Sequence, residues 1–228
     1  MGHVQDDEEP LESVARRRLP ASQRRAQILE VARDLFSREG IDETSMRNIA
    51  GRAGVSPAVL YRHFADKDAL LFALTEAFFD RMIAAFDSAL VGKLDPVERL
   101  RTLMRSYIGF GIDNPHEYRL TFMTALPRLQ RGAEMQAFRE RNRAGATVDI
   151  QEVPRGIVCF GMLERCVLDA VNAGRTAEND AAALTEAVWA SGHGMVSLVI
   201  THDSFRFTAR DKLIEVAIDT MLNGLLLR

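Results

Sequence analysis

The chain has 228 residues, of which 47% are apolar, enough for a substantial core in one large domain or in a small domain joined to a larger one. Its net charge of −3 hides a strong asymmetry: residues 1–15 carry five acids and no Lys or Arg, whereas residues 16–68 carry eleven bases against seven acids. A basic segment beside an acidic body excludes little about fold, but it is the electrostatic footprint expected of a small nucleic-acid-reading module attached to a domain with another task.

The longest apolar stretch, residues 187–200, is interrupted by Ser191, Gly192, His193 and Gly194 and falls short of the roughly 20 residues that cross a bilayer, so no membrane partner is expected. The acidic run from Asp6 to Glu9 stands where a secretory signal would be basic and then apolar, which leads to an expected cytoplasmic location. Cys159 and Cys166, seven residues apart, would lie about two turns apart on one helix face, too far for a disulfide.

Residues 1–21, broken by Pro10 and Pro20 and ending near Arg16-Arg17-Arg18, read as a flexible tail. From Ser22 the pattern turns helical, with Ile28, Val31, Ala32, Leu35 and Phe36 on one face and Gly40 as the stop. Thr44 is read as the cap of a second helix burying Met46, Ile49, Ala50 and Ala53, and a third opens at Ser56-Pro57. A long helix from about Asp66 to Leu90 links this module to the rest. Asp95-Pro96 starts another that runs to Asn114-Pro115, and Pro115 starts a shorter one through Tyr118, Leu120 and Phe122.

Residues 125–153 are punctuated by Pro127, Gly132 and Gly145, with one exposed helix expected near Arg139 to Arg143. Helices are then expected over about 155–173 and 180–202, with a last one opened by a Thr208/Asp211 capping box and ending near Leu227. With no convincing strand pattern, the expected fold is all-α. An N-terminal three-helix module (residues 22–66) carries a C-terminal helical domain (67–228) for ligand binding and dimerisation.

A helix-turn-helix needs a small residue where its helices cross, a turn residue that tolerates positive φ, and an apolar anchor on the second helix; Ala50, Gly54 and Leu60 satisfy these. By itself the pattern also fits a plain helical pair. Around it stand Thr44-Ser45-Met46-Arg47-Asn48-Ile49-Ala50, then Gly54-Val55-Ser56-Pro57-Ala58-Val59-Leu60-Tyr61-Arg62-His63-Phe64, then Lys67-Asp68-Ala69-Leu70-Leu71. Over residues 22–71 this closely resembles the TetR family of bacterial repressors.

The resemblance implies an all-helical homodimer with a DNA-binding head and a variable effector-binding body. It implies phosphate contacts at Thr44 and Lys67, and phosphate or base contacts at Tyr61 and His63. Arg47, Ser56 and Arg62 are within reach of groove or backbone, while Pro57 and Ala58 offer apolar contacts to base edges. The segments around His116 to Met123 and Trp189 to Leu198, with Trp189, His193 and Gly194, resemble a C-terminal domain class found in part of that family.

An effector pocket is expected between the helices near 95–123, 155–173 and 180–202, with Phe110, Tyr118, Phe122, Cys159, Phe160, Met162, Trp189 and His193 as candidates, although such residues at helical spacing are more often core and His193 more often a satisfied buried or interfacial histidine. The last two helices, through Val188, Val196, Val199, Ile214, Ala217, Ile218, Met221 and Leu225, are the expected dimer interface, with Gly192 and Gly194 allowing close approach.

No catalytic residue, metal ligand or cofactor is assigned: His116, Glu117, His193, His202 and Asp203 come without a Gly-rich phosphate loop, an H-E-x-x-H or a paired Cys-x-x-Cys. The sequence therefore points to a regulator of double-stranded operator DNA, a repressor released by an unknown small-molecule effector. An activator, or a regulator answering to a protein partner, has the same features.

Overall fold

The computed structural model describes residues 19–92, 95–124, 140 and 153–226. Among them are α1 (Ala21–Glu39), α2 (Met46–Arg52), α3 (Pro57–His63), α4 (Lys67–Leu90), α5 (Pro96–Asp113) and α6 (Pro115–Tyr118). There follow a π-helical turn (Arg119–Met123), α7 (Arg155–Asn172), α8 (Ala181–Thr201) and α9 (Arg210–Leu225). The described residues contain no β-strand, and their lone β-bridge joins Thr176 to Leu226. The architecture is all-α, as its periodicities require. No helix among the described residues is long and apolar enough to cross a membrane.

Two apolar cores share α4. The head core is built from Ile28, Leu35 and Phe36 of α1, Met46, Ile49 and Ala50 of α2, Leu60 of α3, Phe64, and Leu70, Leu71 and Leu74 of the first turns of α4. From Phe78 onward α4 faces the body, where Phe78, Met82 and Phe86 pack with α5, α7, α8 and α9. The division expected at residues 66 and 67 is where α4 begins, and the head core continues along it to Leu74.

Helix starts follow their caps. Ser56 accepts from the Val59 N–H with Pro57 in the first turn, Asp66 accepts from Ala69, and Asp95 accepts from Val97 and Glu98. Two expected starts are corrected. Ser45, not Thr44, caps α2: it is extended (φ −100°, ψ 155°) and accepts from the Asn48 N–H at 3.1 Å. Thr44 is buried instead, and its hydroxyl donates to the Gly40 carbonyl at 2.7 Å, closing the turn after α1. At α9 no Thr208/Asp211 box forms. Ala209 precedes the helix without a side-chain cap, and Arg210 reaches across to Asp113 (2.5 and 2.8 Å) and the Gly109 carbonyl at the end of α5. The helix expected near Arg139 to Arg143 lies outside the described residues, apart from Glu140, which is helical and exposed.

The turn between α2 and α3 depends on Gly54, at φ +65°, while Val55 N–H returns to the Ala50 carbonyl at 3.0 Å. A Cβ built there meets nothing within 4 Å, so any penalty is backbone strain and not a clash. Gly54→Val is expected to cost about 1–2 kcal/mol, more than a surface substitution, because a β-branched residue resists left-handed backbone. Urea unfolding would read this, and an unchanged midpoint would refute the account.

Candidate nucleic-acid interface and effector cavity

The head presents α3 and the start of α2 on one surface. Arg47, Ser56, Pro57, Ala58, Tyr61 and Arg62 are exposed there, and His63 is half-buried at the end of α3. The side chains of Arg47, Tyr61 and Arg62 make no hydrogen bond or ion pair with any described residue, and Tyr61 is 51% exposed. Tyr61 stands out on a seven-residue helix with Leu60 buried beneath it, which leaves about half of it available to an external partner. Gln27 of α1 donates to the Ala53 carbonyl, and the Arg25 guanidinium lies 4.8 Å from the centre of the Phe64 ring, so α1 braces the pair from behind.

Two expected contacts sit differently from the rest. Thr44 is 1% exposed, so its side chain is a tie within the head and is withdrawn as a phosphate clamp. Lys67 is half-buried, donating to the Ile41 carbonyl and lying 6.0 Å from the Phe36 ring centre, which fastens α4 to the turn after α1. Its ammonium keeps two further protons for other acceptors.

In the body a cavity of about 620 Å³ lies between α4, α5, the π-helical turn, α7 and α8. Aromatic rings from Phe72, Phe79, Phe86, Tyr107, Phe122, Phe160 and Trp189 dominate its wall. Among the described residues, its wall includes the polar side chains of Thr75, Thr121, Glu76 and Glu186. Glu76 accepts from the Arg155 backbone N–H at 3.1 Å, and the Thr75 hydroxyl donates to the Leu71 carbonyl. Thr121 differs: its buried hydroxyl oxygen has no hydrogen-bond partner among the described residues, a cost of about 1–3 kcal/mol in a filled interior. Burial pushes the Cys159 thiol, which also lines the cavity, up to about 12.

Of the expected pocket residues, Phe122, Cys159, Phe160 and Trp189 line this cavity. Phe110, Tyr118, Met162 and His193 do not. Phe110 packs edge-on against Phe78 beneath Arg81, and Met162 packs against the body core. Tyr118 is fully buried, its hydroxyl 2.8 Å from that of Tyr107 and 2.7 Å from His193 Nδ1, while His193 Nε2 lies 3.3 Å from the Ser197 hydroxyl. These groups form a hydrogen-bonded chain behind the wall that touches the cavity through Tyr107. A neutral imidazole satisfies that chain in either direction.

Burial lowers the His193 pKa below its ordinary 6.5 and raises the phenol pKa values of Tyr107 and Tyr118, in each case favouring the uncharged form. For His193 the unfolded chain holds a proton that the folded one lacks between the ordinary value and the lower folded value. Its contribution to stability is therefore complete above about pH 6.5 and is lost as pH falls through that window. Chemical unfolding between about pH 5 and pH 8 should show this slope in the parent and a shallower one in His193→Gln; equal slopes would refute it.

Sequence reasoning missed Phe79, Tyr107, Thr121, Glu76 and Glu186. Their signal was present for α4 and α5 as apolar stripes, but nothing in periodicity distinguishes a wall from a filled core.

Residues 28–74 match the family model described as bacterial regulatory proteins, tetR family, and residues 100–221 match that of the tetracyclin repressor-like C-terminal domain. The second match alone covers more than half of the chain. The chain belongs to the TetR family. Among curated TetR-type relatives, it is 36% identical over 105 residues to FasR of Mycolicibacterium smegmatis, an HTH-type transcriptional activator, covering 46% of this chain and 48% of FasR. It is 27% identical over 134 residues to KstR2 of Mycobacterium tuberculosis, an HTH-type transcriptional repressor, covering 59% and 66%. The chain thus spans about half to just under two thirds of these relatives. A solved TetR-family regulator from Vibrio parahaemolyticus shares the fold at a TM-score of 0.64 and 21% identity, over 90% of this chain and 100% of that one. TetR-family members are regulators and not enzymes.

Proposed function

We propose that this chain is a homodimeric TetR-type repressor that holds operator DNA through Arg47, Ser56, Pro57, Ala58, Tyr61, Arg62, His63 and Lys67 and releases it when a small molecule fills the body cavity. The observation that carries this reading is the position of the π-helical turn. Thr121 and Phe122 line the cavity, while Leu120 between Tyr118 and Thr121 is buried in the head core. A π-helical turn is an insertion in the helical ladder, found often where side chains must be re-aimed for function. Here it aims neighbouring residues into two different domains.

The lever has two arms. α4 passes from the head core to the cavity through Leu74, Phe78 and Phe79, and the Arg81–Glu117 ion pair ties it to α6. Arg119, at the start of the π-helical turn, donates to the Ile200 carbonyl of α8. A ligand that prefers one arrangement of these elements shifts the spacing of the two recognition helices, which must sit about 34 Å apart to enter successive major grooves.

For the dimer, the same two helices are offered, with Gly194 and Ala217 still among the outward residues but most of the other expected ones turned inward. Val188, Val196, Ile214, Ile218 and Leu225 are buried within the protomer and are withdrawn as interface residues. Gly192 faces inward too: a Cβ there would sit 2.5 Å from Met104 Cε and 3.4 Å from the Tyr107 ring. The outward strip of α8 consists of Ala187, Ala190, Ser191, Gly194 and Leu198, joined on α9 by Val216, Ala217 and Thr220. Small residues with Leu198 and Val216 more than half exposed suit a close helix pairing around a two-fold axis.

The test is binding of the purified protein to its own upstream DNA at stated salt, followed by reporter transcription with and without the protein. Specific binding with lower transcription supports the repressor. Higher transcription assigns an activator, and failure to select any DNA sequence rejects the reading.

A further inference from the structure

Resting on the proposed dimer face and on the reading of the cavity as an effector site, we infer that the site is incomplete in one protomer. The partner subunit, seated on α8, closes its mouth beside Trp189 and Ala190, so that dimerisation and the binding of an apolar ligand strengthen each other.

Of the described residues that line the cavity, three are exposed, Glu186, Trp189 and Ala190, and all three stand close together on α8. The rest of the lining, from α4, α5, the π-helical turn and residues 154–163, is buried or half-buried. The cavity therefore opens along α8. Ala190 is where this opening meets the dimer face. Its side chain is a single methyl, so the lip it forms lies at the helix surface. Ala187 and Gly194, three residues before it and four after, share its helix face, and exposed Ser191 adjoins it.

Helices that meet through such small residues approach to about 8 Å between axes, and a helix with its side chains is about 10 Å across. A partner helix seated on Ala187 and Gly194 therefore overhangs Ala190 and the outer edge of Trp189. The Trp189 ring packs inward on Phe160, at 90° and 5.8 Å between centroids, yet 36% of the residue stays exposed. Tryptophan left out of water on one edge only is the kind of side chain that protein interfaces cover. Ligand sites commonly enclose about 70–90% of what they hold. A ligand in one protomer keeps a solvent-facing edge along α8, and the partner removes that edge from water.

The experiment uses N-phenyl-1-naphthylamine, an uncharged apolar fluorophore that brightens out of water and accepts energy from Trp189, the single tryptophan. Its dissociation constant is measured on the full chain, at concentrations where the parent sediments as a dimer, and on Gly194→Glu and Val216→Glu. Both substitutions put a carboxylate on the proposed dimer face, on different helices, and neither position lines the cavity. Each variant is expected to sediment as a monomer of unchanged helical content. Each should bind the probe about tenfold more weakly, which is what roughly 60 Å² of lost apolar burial produces. Linkage requires the converse: two sites, each about tenfold tighter in the dimer, make saturating probe lower the dimer dissociation constant of either variant about a hundredfold.

Equal probe affinity in monomer and dimer overturns the inference and leaves the cavity reading intact, the mouth then being closed by the protomer's own chain or left to water. Weaker binding in one monomeric variant but not the other traces the effect to that substitution and overturns the inference as well. If both variants remain dimers, the proposed dimer face falls and the inference with it. If the parent itself does not bind the probe, the inference and the effector-site reading fall together.

Discussion

Tyr61→Ala should weaken operator binding by about ten- to hundredfold at fixed salt while moving the unfolding temperature by no more than about 2 °C. The two halves of this expectation have separate causes. Tyr61 is 51% exposed and bonds to nothing described, so its loss removes little from the folded state. It stands on α3 beside Ser56, Pro57 and Arg62, on the surface that would face DNA, so its loss removes a contact made in the complex. Thr44→Val supplies the contrast. It breaks a buried tie to the Gly40 carbonyl, costing about 1 kcal/mol of stability, and weakens DNA binding only as far as the head loosens. Fluorescence anisotropy on labelled operator together with thermal unfolding separates the two. Unaltered affinity in Tyr61→Ala would remove α3 from the interface.

The head was legible from sequence because each of its rules acts over a few residues. Leu60 and Ala50 are buried where the helix-turn-helix pattern required it, and Ser56-Pro57 opens α3 as its chemistry dictates. The one-residue error at α2 has a local cause too. Thr44 and Ser45 are both good caps, and the choice is made by burial, since Thr44 fills the turn after α1 while Ser45 is exposed.

The body was legible as a set of helices but not as a site. A period of 3.6 residues says which side chains are inside, whereas the cavity depends on which inside neighbour is missing. The rings of Tyr118 and Phe122 stay in contact, 4.7 Å between centroids, so a correct four-residue spacing still does not say which of the two reaches the cavity. Extrapolating the α6 pattern places Tyr118 and Phe122 together in a pocket; in the fold Tyr118 is sealed against His193 and Tyr107, and Phe122 reaches the cavity. On α8 the obstacle is different. Apolar residues surround the helix, so inner Val188 and Val196 look like outer Leu198, and small Ala187, Ala190 and Gly194 are the subtler mark of the outward face.

That distinction gives the largest expected effect. Gly192 and Gly194 are two residues apart on α8, yet they face opposite surroundings: a Cβ at Gly192 would strike Met104, whereas one at Gly194 meets nothing within 4 Å. Gly192→Val should therefore damage the protomer itself, by about 1–3 kcal/mol of overpacking, and lower the thermal midpoint of the isolated chain. Gly194→Glu should do the reverse. It raises intrinsic helix propensity by roughly half a kcal/mol or more and leaves the protomer folded. It also places a carboxylate on the strip between Ala190 and Leu198, and an isologous pairing brings two such charges into one interface. On the proposed dimer, the variant should sediment as a helical monomer under conditions in which the parent should sediment as a dimer. Operator affinity should then fall by about a thousandfold, because a single head loses the benefit of its tethered partner. A Gly194→Glu protein that remains dimeric with full DNA affinity would place the dimer interface elsewhere on the molecule.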